Sequence, residues 1–105
     1  KTSGMNVMPR EVELVIEEQP EVMHAFVAGV AHTERGQDVV AAVVPRPGMS
    51  VDPEEILERL RGDLSSYKVP RHVAIYASSD DLPWLESGKI NLRKLAGMLA
   101  ERYAP

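Results

Sequence analysis

Two apolar runs separated by a short polar turn constrain the fold of this chain more than any other feature. Residues 22–31 and 39–44 are mostly apolar and rich in valine, and the segment between them carries Gly36. Runs of this composition are typical of strands that are covered on much of both faces. The pattern therefore predicts a β-hairpin.

Helical patterns precede and follow the predicted hairpin. A first helix opens at Pro9, where a missing N–H costs nothing, and it presents apolar residues at helical spacing. A second helix begins after Asp52, a capping residue, and Gly62 is its predicted end. Asn91 is predicted to cap a third helix, and residues 73–77 read as a third strand.

The resulting order is helix, strand, strand, helix, strand, helix. It predicts an α+β fold: a small, mostly antiparallel three-stranded sheet flanked by helices, preceded by a short extended segment over residues 1–8. One domain accounts for all 105 residues. Because the sequence starts with Lys1 rather than methionine, we expect it to be part of a longer protein.

Composition excludes several classes of function. The net charge of −4 argues against a chain whose main task is to bind nucleic acid or anionic membrane. With no cysteine, the chain has no disulfide, no thiolate nucleophile and no Cys-ligated zinc. No apolar run approaches the ~20 residues of a membrane span, and residues 1–4 lead into no signal sequence. We expect a cytoplasmic protein.

Histidines and serines offer no catalytic or metal-binding motif. His24, His32 and His72 lack the spacing of a metal-binding pair, so we predict ordinary strand and loop histidines and no metal site. Ser65 and Ser66 lie in no nucleophile elbow and are predicted to follow the end of the second helix.

The segment Ser87-Gly88-Lys89 superficially resembles a phosphate-binding loop. It is not a Walker A motif, because Pro83 replaces the first glycine and Ile90 replaces the serine or threonine. By spacing alone, Lys89 is a cation on an exposed loop with a glycine hinge, a description that also fits an ordinary surface lysine.

Two further cations follow this loop. Arg93 and Lys94 occupy the first turn of the predicted third helix, where positive charge opposes the helix dipole. Because this placement is unfavourable for the helix and lies beside a Gly-Lys loop, it suggests that the two cations have a function. The alternative is that both side chains pair with acidic residues elsewhere in the fold.

Taken together, the motifs of the chain resemble the C-terminal domain of acyl-CoA synthetases in the adenylate-forming ligase superfamily. The resemblance covers nearly the whole chain, with the motifs in the family's order. They are the segment 1–13, Tyr67-Lys68-Val69-Pro70, Leu82-Pro83, Ser87-Gly88-Lys89-Ile90, Arg93 and Leu95. Leu92 departs from the pattern, since many relatives have a second arginine there. Trp84-Leu85 also departs, because it replaces a usual polar pair.

The resemblance implies a two-step reaction. Family members join a carboxylic acid, such as a fatty acid, to ATP, which gives an acyl-adenylate and pyrophosphate, and then pass the acyl group to coenzyme A. A large N-terminal domain holds ATP, Mg²⁺ and the acid, and the small domain is a mobile lid. Lys89 matches the lysine used in adenylation, and Ser87 and Gly88 match its supporting residues.

The resemblance also assigns a second pose to the lid. In that pose the loop around Gly4 faces the reaction centre, with Lys1 and Asn6 near the active site. Lys68 and Arg71 are weaker candidates for contacts with the phosphates of coenzyme A. The family's hinge residue would lie just before Lys1, outside this sequence.

Two alternatives remain open from the sequence. One is a stand-alone, non-catalytic binding or adaptor module with the same fold. The other is the lid of a peptide-synthetase adenylation domain, whose loop after the hinge more often resembles RGxRIE than the segment found here. The acid substrate cannot be inferred, because its pocket belongs to the N-terminal domain.

Overall fold

The computed structural model describes residues 9–32 and 36–103. The elements are α1 (Pro9–Glu17), β1 (Val22–His32), β2 (Gly36–Pro45), α2 (Pro53–Asp63), β3 (His72–Ile75) and α3 (Leu92–Tyr103), with short 3-10 helices at Ser66–Lys68 and Ser79–Asp81. The predicted order of elements and the α+β class are confirmed. The predicted extended segment over residues 1–8 lies outside the described residues.

The sheet has the order β1-β2-β3, with β2 in the centre. Strands β1 and β2 pair antiparallel over almost their whole length, as the predicted hairpin requires. Strands β2 and β3 pair in parallel over four residues. A parallel pair needs a crossover connection, and α2 provides it. The sheet is therefore mostly antiparallel, with one short parallel pair at its edge.

The central strand β2 explains why the apolar runs lack polar alternation. Ala41 and Val43 belong to the core under α1 and α2, and Val40, Ala42 and Val44 belong to the core under α3. All five are essentially inaccessible to solvent. Because successive side chains of a strand point to opposite faces, β2 is packed between two helical layers.

The outer edge of β1 is covered by carboxylates of α1. Glu13 is 8% exposed and accepts a hydrogen bond from the Val27 N–H at 2.8 Å. Glu17 accepts one from the Ala25 N–H at 3.3 Å, and Arg10 pairs with both carboxylates. These contacts satisfy strand donors that would otherwise offer an edge for pairing with another chain.

Two predicted boundaries need correction. Asp52 caps α2 as expected, by accepting a hydrogen bond from the Glu54 N–H at 3.0 Å. Gly62, however, does not end α2, because the helix continues to Asp63 and closes when the Leu64 N–H donates to the Leu60 carbonyl. The third strand spans His72–Ile75, so it begins one residue earlier and ends two residues earlier than the predicted strand over 73–77, and all four of its residues pair with β2.

Candidate functional site at the Lys89 hairpin

A tight hairpin precedes α3 and carries the predicted catalytic lysine. In this Lys89 hairpin (residues 84–90), Trp84 and Ile90 form an antiparallel bridge. The Leu85 N–H donates to the Lys89 carbonyl at 2.8 Å. The hairpin therefore presents Lys89 directly opposite Leu85, on a short and well-defined pair of arms.

Gly88 makes the tight turn possible. Its N–H donates to the Leu85 carbonyl at 3.0 Å, and its φ is +87°. A side chain at this position would meet nothing within 4 Å, so the requirement for glycine is conformational rather than steric. A three-residue loop that ends in a left-handed residue is a common hairpin connection. The glycine hinge inferred from the sequence is thus a fixed turn.

Trp84 anchors the base of the hairpin to β1. Its ring packs edge-on against Phe26, with centroids 5.5 Å apart, and against His24 at 5.9 Å. Its Nε1–H donates to the Ser79 carbonyl at 2.7 Å. On the other arm, Ile90 packs against the core under α3. Sequence reasoning noted Trp84 only as a departure from the family pattern and missed this anchoring role.

The tip of the hairpin faces solvent. Ser87 and Lys89 are exposed, and the Lys89 ammonium makes no hydrogen bond or ion pair with any residue in the described ranges. Because directly opposite residues of a hairpin share a face, Leu85, which is also exposed, lies on the same face as Lys89. The backbone of Lys89 is therefore fixed by hydrogen bonds, while its ammonium has no partner among the described residues.

Two more cations lie beside the hairpin, at the start of α3. Arg93 and Lys94 are exposed, and neither side chain pairs with any of residues 9–32 or 36–103. Asn91 caps α3 as predicted, by accepting a hydrogen bond from the Lys94 N–H at 3.1 Å. Glu86 is the one acidic side chain among residues 84–94. The cations and the positive end of α3 together favour an anionic ligand at this surface.

Lys68 occupies a different environment. Its Nζ lies 2.9 Å from a Glu11 carboxylate oxygen, an ion pair that joins the segment before β3 to α1. The hydrogen bond to Glu11, together with the charge of that carboxylate, raises the pKa of Lys68 above its ordinary value. Arg71 is exposed, and its backbone N–H donates to the Val39 carbonyl at 2.7 Å.

Three predicted site residues belong to the N-terminal segment. Lys1, Gly4 and Asn6 lie outside the described residues. His24 stacks with Phe26, and the His72 ring lies flat on Tyr103 with centroids 4.2 Å apart. The described part of the chain contains no cluster of three or more His, Cys, Asp or Glu side chains that could hold a metal ion.

Among the described residues, none of the helices has both the length and the apolar character needed to cross a bilayer.

Comparison with known proteins identifies the family. Residues 11–89 match the AMP-binding enzyme C-terminal domain. The match covers well over half of the chain, and the chain therefore belongs to this family. The resemblance inferred from the sequence motifs is confirmed at this level.

Relatives and solved structures agree with the assignment. The chain is 34% identical over 99 residues to the oxalate–CoA ligase of Arabidopsis thaliana and 39% identical over 92 residues to a long-chain-fatty-acid–CoA ligase of Bacillus subtilis. These alignments cover 94% and 88% of the chain but only 19% and 16% of the two relatives. The structure of ATP-bound MatB from Rhodopseudomonas palustris superimposes with a TM-score of 0.87 at 34% identity, over 97% of this chain and 20% of that one.

Proposed function

We propose that this chain is the C-terminal lid of an AMP-forming acyl-CoA synthetase and that Lys89 is its adenylation lysine. The observation that carries the proposal is the Lys89 ammonium, which is exposed, unpaired within the described residues and fixed on a hydrogen-bonded hairpin. A cation that has no partner in its own domain is available to an anion brought by another domain. The likeness to two CoA ligases and to an ATP-bound enzyme supports ATP and coenzyme A as substrates.

The chemistry of adenylation explains why a cation is needed. A carboxylate oxygen of the acid attacks the α-phosphorus of ATP, a new O–P bond forms, and the bond to the bridging oxygen breaks. Pyrophosphate leaves with that electron pair, and the acyl-adenylate remains. Attack by one anion on another is opposed by charge repulsion, and the Lys89 ammonium offsets it at the oxygens where charge develops. Lysine suits this role because its ammonium is a compact point charge.

The second half-reaction is thioester formation. The sulfur of coenzyme A attacks the acyl carbonyl, AMP leaves with the electron pair of the broken C–O bond, and the thiol proton passes to solvent or a base. We assign this step to a second pose, in which the loop around Gly4 replaces Lys89. Contacts with coenzyme A are a stronger proposal for Arg71 than for Lys68, because Lys68 would first have to leave Glu11.

The partner of the lid is its own N-terminal domain, which the proposal makes the holder of ATP, Mg²⁺ and the acid. Relatives more than five times the length of the aligned segment agree with such an arrangement. A lid serves this chemistry because closure excludes water and completes the site, and reopening allows the next step. The cytoplasmic location expected from the sequence stays a prediction.

The proposal is tested with the full-length enzyme that carries this domain. Acid-dependent release of pyrophosphate from ATP is measured with oxalate, acetate, octanoate, palmitate and benzoate, and the most active acid is then assayed with coenzyme A. We expect acyl-CoA and AMP in equal amounts. Transfer only to a phosphopantetheine-bearing carrier protein would instead indicate the peptide-synthetase relative. An upstream reading frame too short for an ATP-binding domain would indicate the adaptor module.

A further inference from the structure

The orientation of the Lys89 hairpin has to be set at its base. Its tip is exposed throughout: Leu85, Glu86, Ser87, Gly88 and Lys89. A short two-stranded hairpin is at best marginally stable by itself in water. The backbone hydrogen bonds fix the shape of the turn, but they do not fix the direction in which it points relative to the sheet.

Two side chains connect the base to the rest of the domain. Ile90 packs against the core under α3, and Trp84 packs against Phe26 and donates a hydrogen bond to the Ser79 carbonyl. With both contacts present, each arm of the hairpin has a fixed point. Without Trp84, Ile90 is the one described side chain of the hairpin that still packs against the core.

Trp84 itself contributes little to the core. The side chain is 39% exposed, whereas Leu95 and Leu99, which cover the same face of the sheet, are fully buried. Edge-on aromatic pairs add a modest stabilisation that depends on the relative orientation of the two rings. The contacts of Trp84 are therefore directional and peripheral, which suits a residue that aims a loop better than one that holds the fold together.

We propose that Trp84 is a positioning residue for adenylation, which clamps the Lys89 hairpin against β1 so that the ammonium arrives at the attacked phosphate in a fixed direction. This inference rests on the proposed role of Lys89, because Trp84 would affect adenylation only through the position of that lysine. Catalytic groups must be placed closely, and a displacement of about 1 Å can cost on the order of 100-fold in rate.

The clamp has two separable parts. Trp84→Phe keeps an aromatic ring for the contact with Phe26 and removes the hydrogen bond to Ser79, while Trp84→Ala removes both. A net hydrogen bond of about 0.5–1.5 kcal/mol corresponds to roughly 2- to 12-fold in rate. The clamp therefore predicts a graded loss, smaller in the phenylalanine variant than in the alanine variant.

The experiment compares these variants in the full-length enzyme, with the acid that is most active in the pyrophosphate assay. Adenylation is measured as single-turnover pyrophosphate release, and thioester formation is measured from the purified acyl-adenylate and coenzyme A. We expect Trp84→Ala to lower the adenylation kcat by about 10- to 100-fold, with the KM for ATP and the thioester step within about twofold. Leu14→Ala, which changes an exposed leucine on α1, is the control and should affect neither step.

Each outcome decides the proposal. Unchanged adenylation in Trp84→Ala, or an equal loss in both half-reactions, overturns the clamp, since the second result describes a general structural residue. If Trp84→Ala does not fold, the phenylalanine variant decides by the same two rates. Lys89→Ala, assayed in parallel, separates the two hypotheses. If Lys89→Ala retains adenylation, the proposed function is wrong. If Lys89→Ala loses adenylation and Trp84→Ala does not, only the proposed role of Trp84 is wrong.

Discussion

Two lysines of the recognised motifs lie in opposite environments. Lys68 is partly buried and paired with Glu11, a residue 57 positions away on α1. Lys89 is exposed on a hairpin, and the described residues supply no partner for its ammonium. The backbone around Lys89 nevertheless has a defined geometry, because both the turn and the base of the hairpin are hydrogen-bonded.

The two lysines illustrate two uses of a positive charge: one is paired inside the domain, and the other is exposed to solvent without a described partner. An ion pair between distant elements joins them and uses the charge inside the domain. An unpaired cation on a rigid support contributes nothing to the fold through its charge and remains available to an external anion. The comparison therefore favours a stabilising role for Lys68 and agrees with the catalytic role proposed for Lys89, and each can be tested separately.

The largest expected effect comes from the unpaired lysine. In the full-length enzyme, Lys89→Ala should lower the rate of adenylation by roughly 100- to 1000-fold, the loss typical of a removed charge-stabilising donor. Thioester formation from supplied acyl-adenylate should be nearly unchanged, because the proposal assigns that step to the other pose. Separate half-reaction assays measure this, with Lys68→Ala as the matched lysine control. Equal losses in the two variants would break the comparison.

Changing the support of Lys89 should have the next largest effect. Gly88→Ala places a side chain at φ +87°, which costs about 1–2 kcal/mol of stability and distorts the turn. Gly97→Ala is the matched control, because Gly97 lies inside α3 with open space around it and should gain up to about 1 kcal/mol. Chemical denaturation and adenylation assays test both variants, and a Gly88→Ala enzyme with normal adenylation would show that the turn need not be fixed.

The paired lysine should affect stability rather than catalysis. Lys68→Ala should lower the Tm by a small amount, while Lys94→Ala, which removes an exposed lysine without a described partner, should not lower it. The pKa of Lys68 is raised in the folded state, so its contribution is fully present below the ordinary value of 10.5. The contribution is lost as the pH rises through the raised value. Thermal scans from pH 8 to 11 should show the wild-type advantage shrinking, and a constant difference would contradict it.

The smallest effect concerns a second ion pair, between Glu21 and Arg59 at 2.8 Å. The pKa of Glu21 is lowered, first by a hydrogen bond from its own backbone N–H and then by Arg59. Its contribution is present above the ordinary value of 4.5 and is lost as the pH falls through the lowered value. Glu21→Gln should flatten this acid dependence more than Arg59→Ala does, in denaturation curves from pH 6 to 3. If Arg59→Ala removes more than half of the acid dependence that Glu21→Gln removes, the order of the two causes is reversed.

The element order was predictable from local signals. Apolar runs, helical spacing and the capping residues Asp52 and Asn91 are encoded within a few neighbouring positions, and the structure confirms both caps. The helix end predicted at Gly62 was wrong, although glycine is a common residue at helix ends. Helix α2 instead closes through a backbone hydrogen bond that needs no left-handed residue. The parallel pairing of β3 with β2 was not specified by the sequence, since strand partners depend on distant segments.

The candidate site was predictable in identity but not in arrangement. The motif residues identified Lys89 and its flanking glycine. The partner of Lys68 and the anchor of the hairpin were missed, because Glu11 and Ser79 are ordinary residues whose importance comes from position alone. Trp84 left a weak signal, as a large aromatic where relatives have a polar residue, and its contact with Phe26 spans 58 positions of sequence.

The sequence by itself determined the elements and the caps, because these are encoded in short-range spacing, and the resemblance of its motifs indicated the family and the candidate lysine. Only the tertiary structure decided that Lys68 is paired with a carboxylate and that Lys89 is exposed without a described partner. Charge pairing depends on distances between segments far apart in the chain, and such distances exist only after the sheet and its two helical layers have packed.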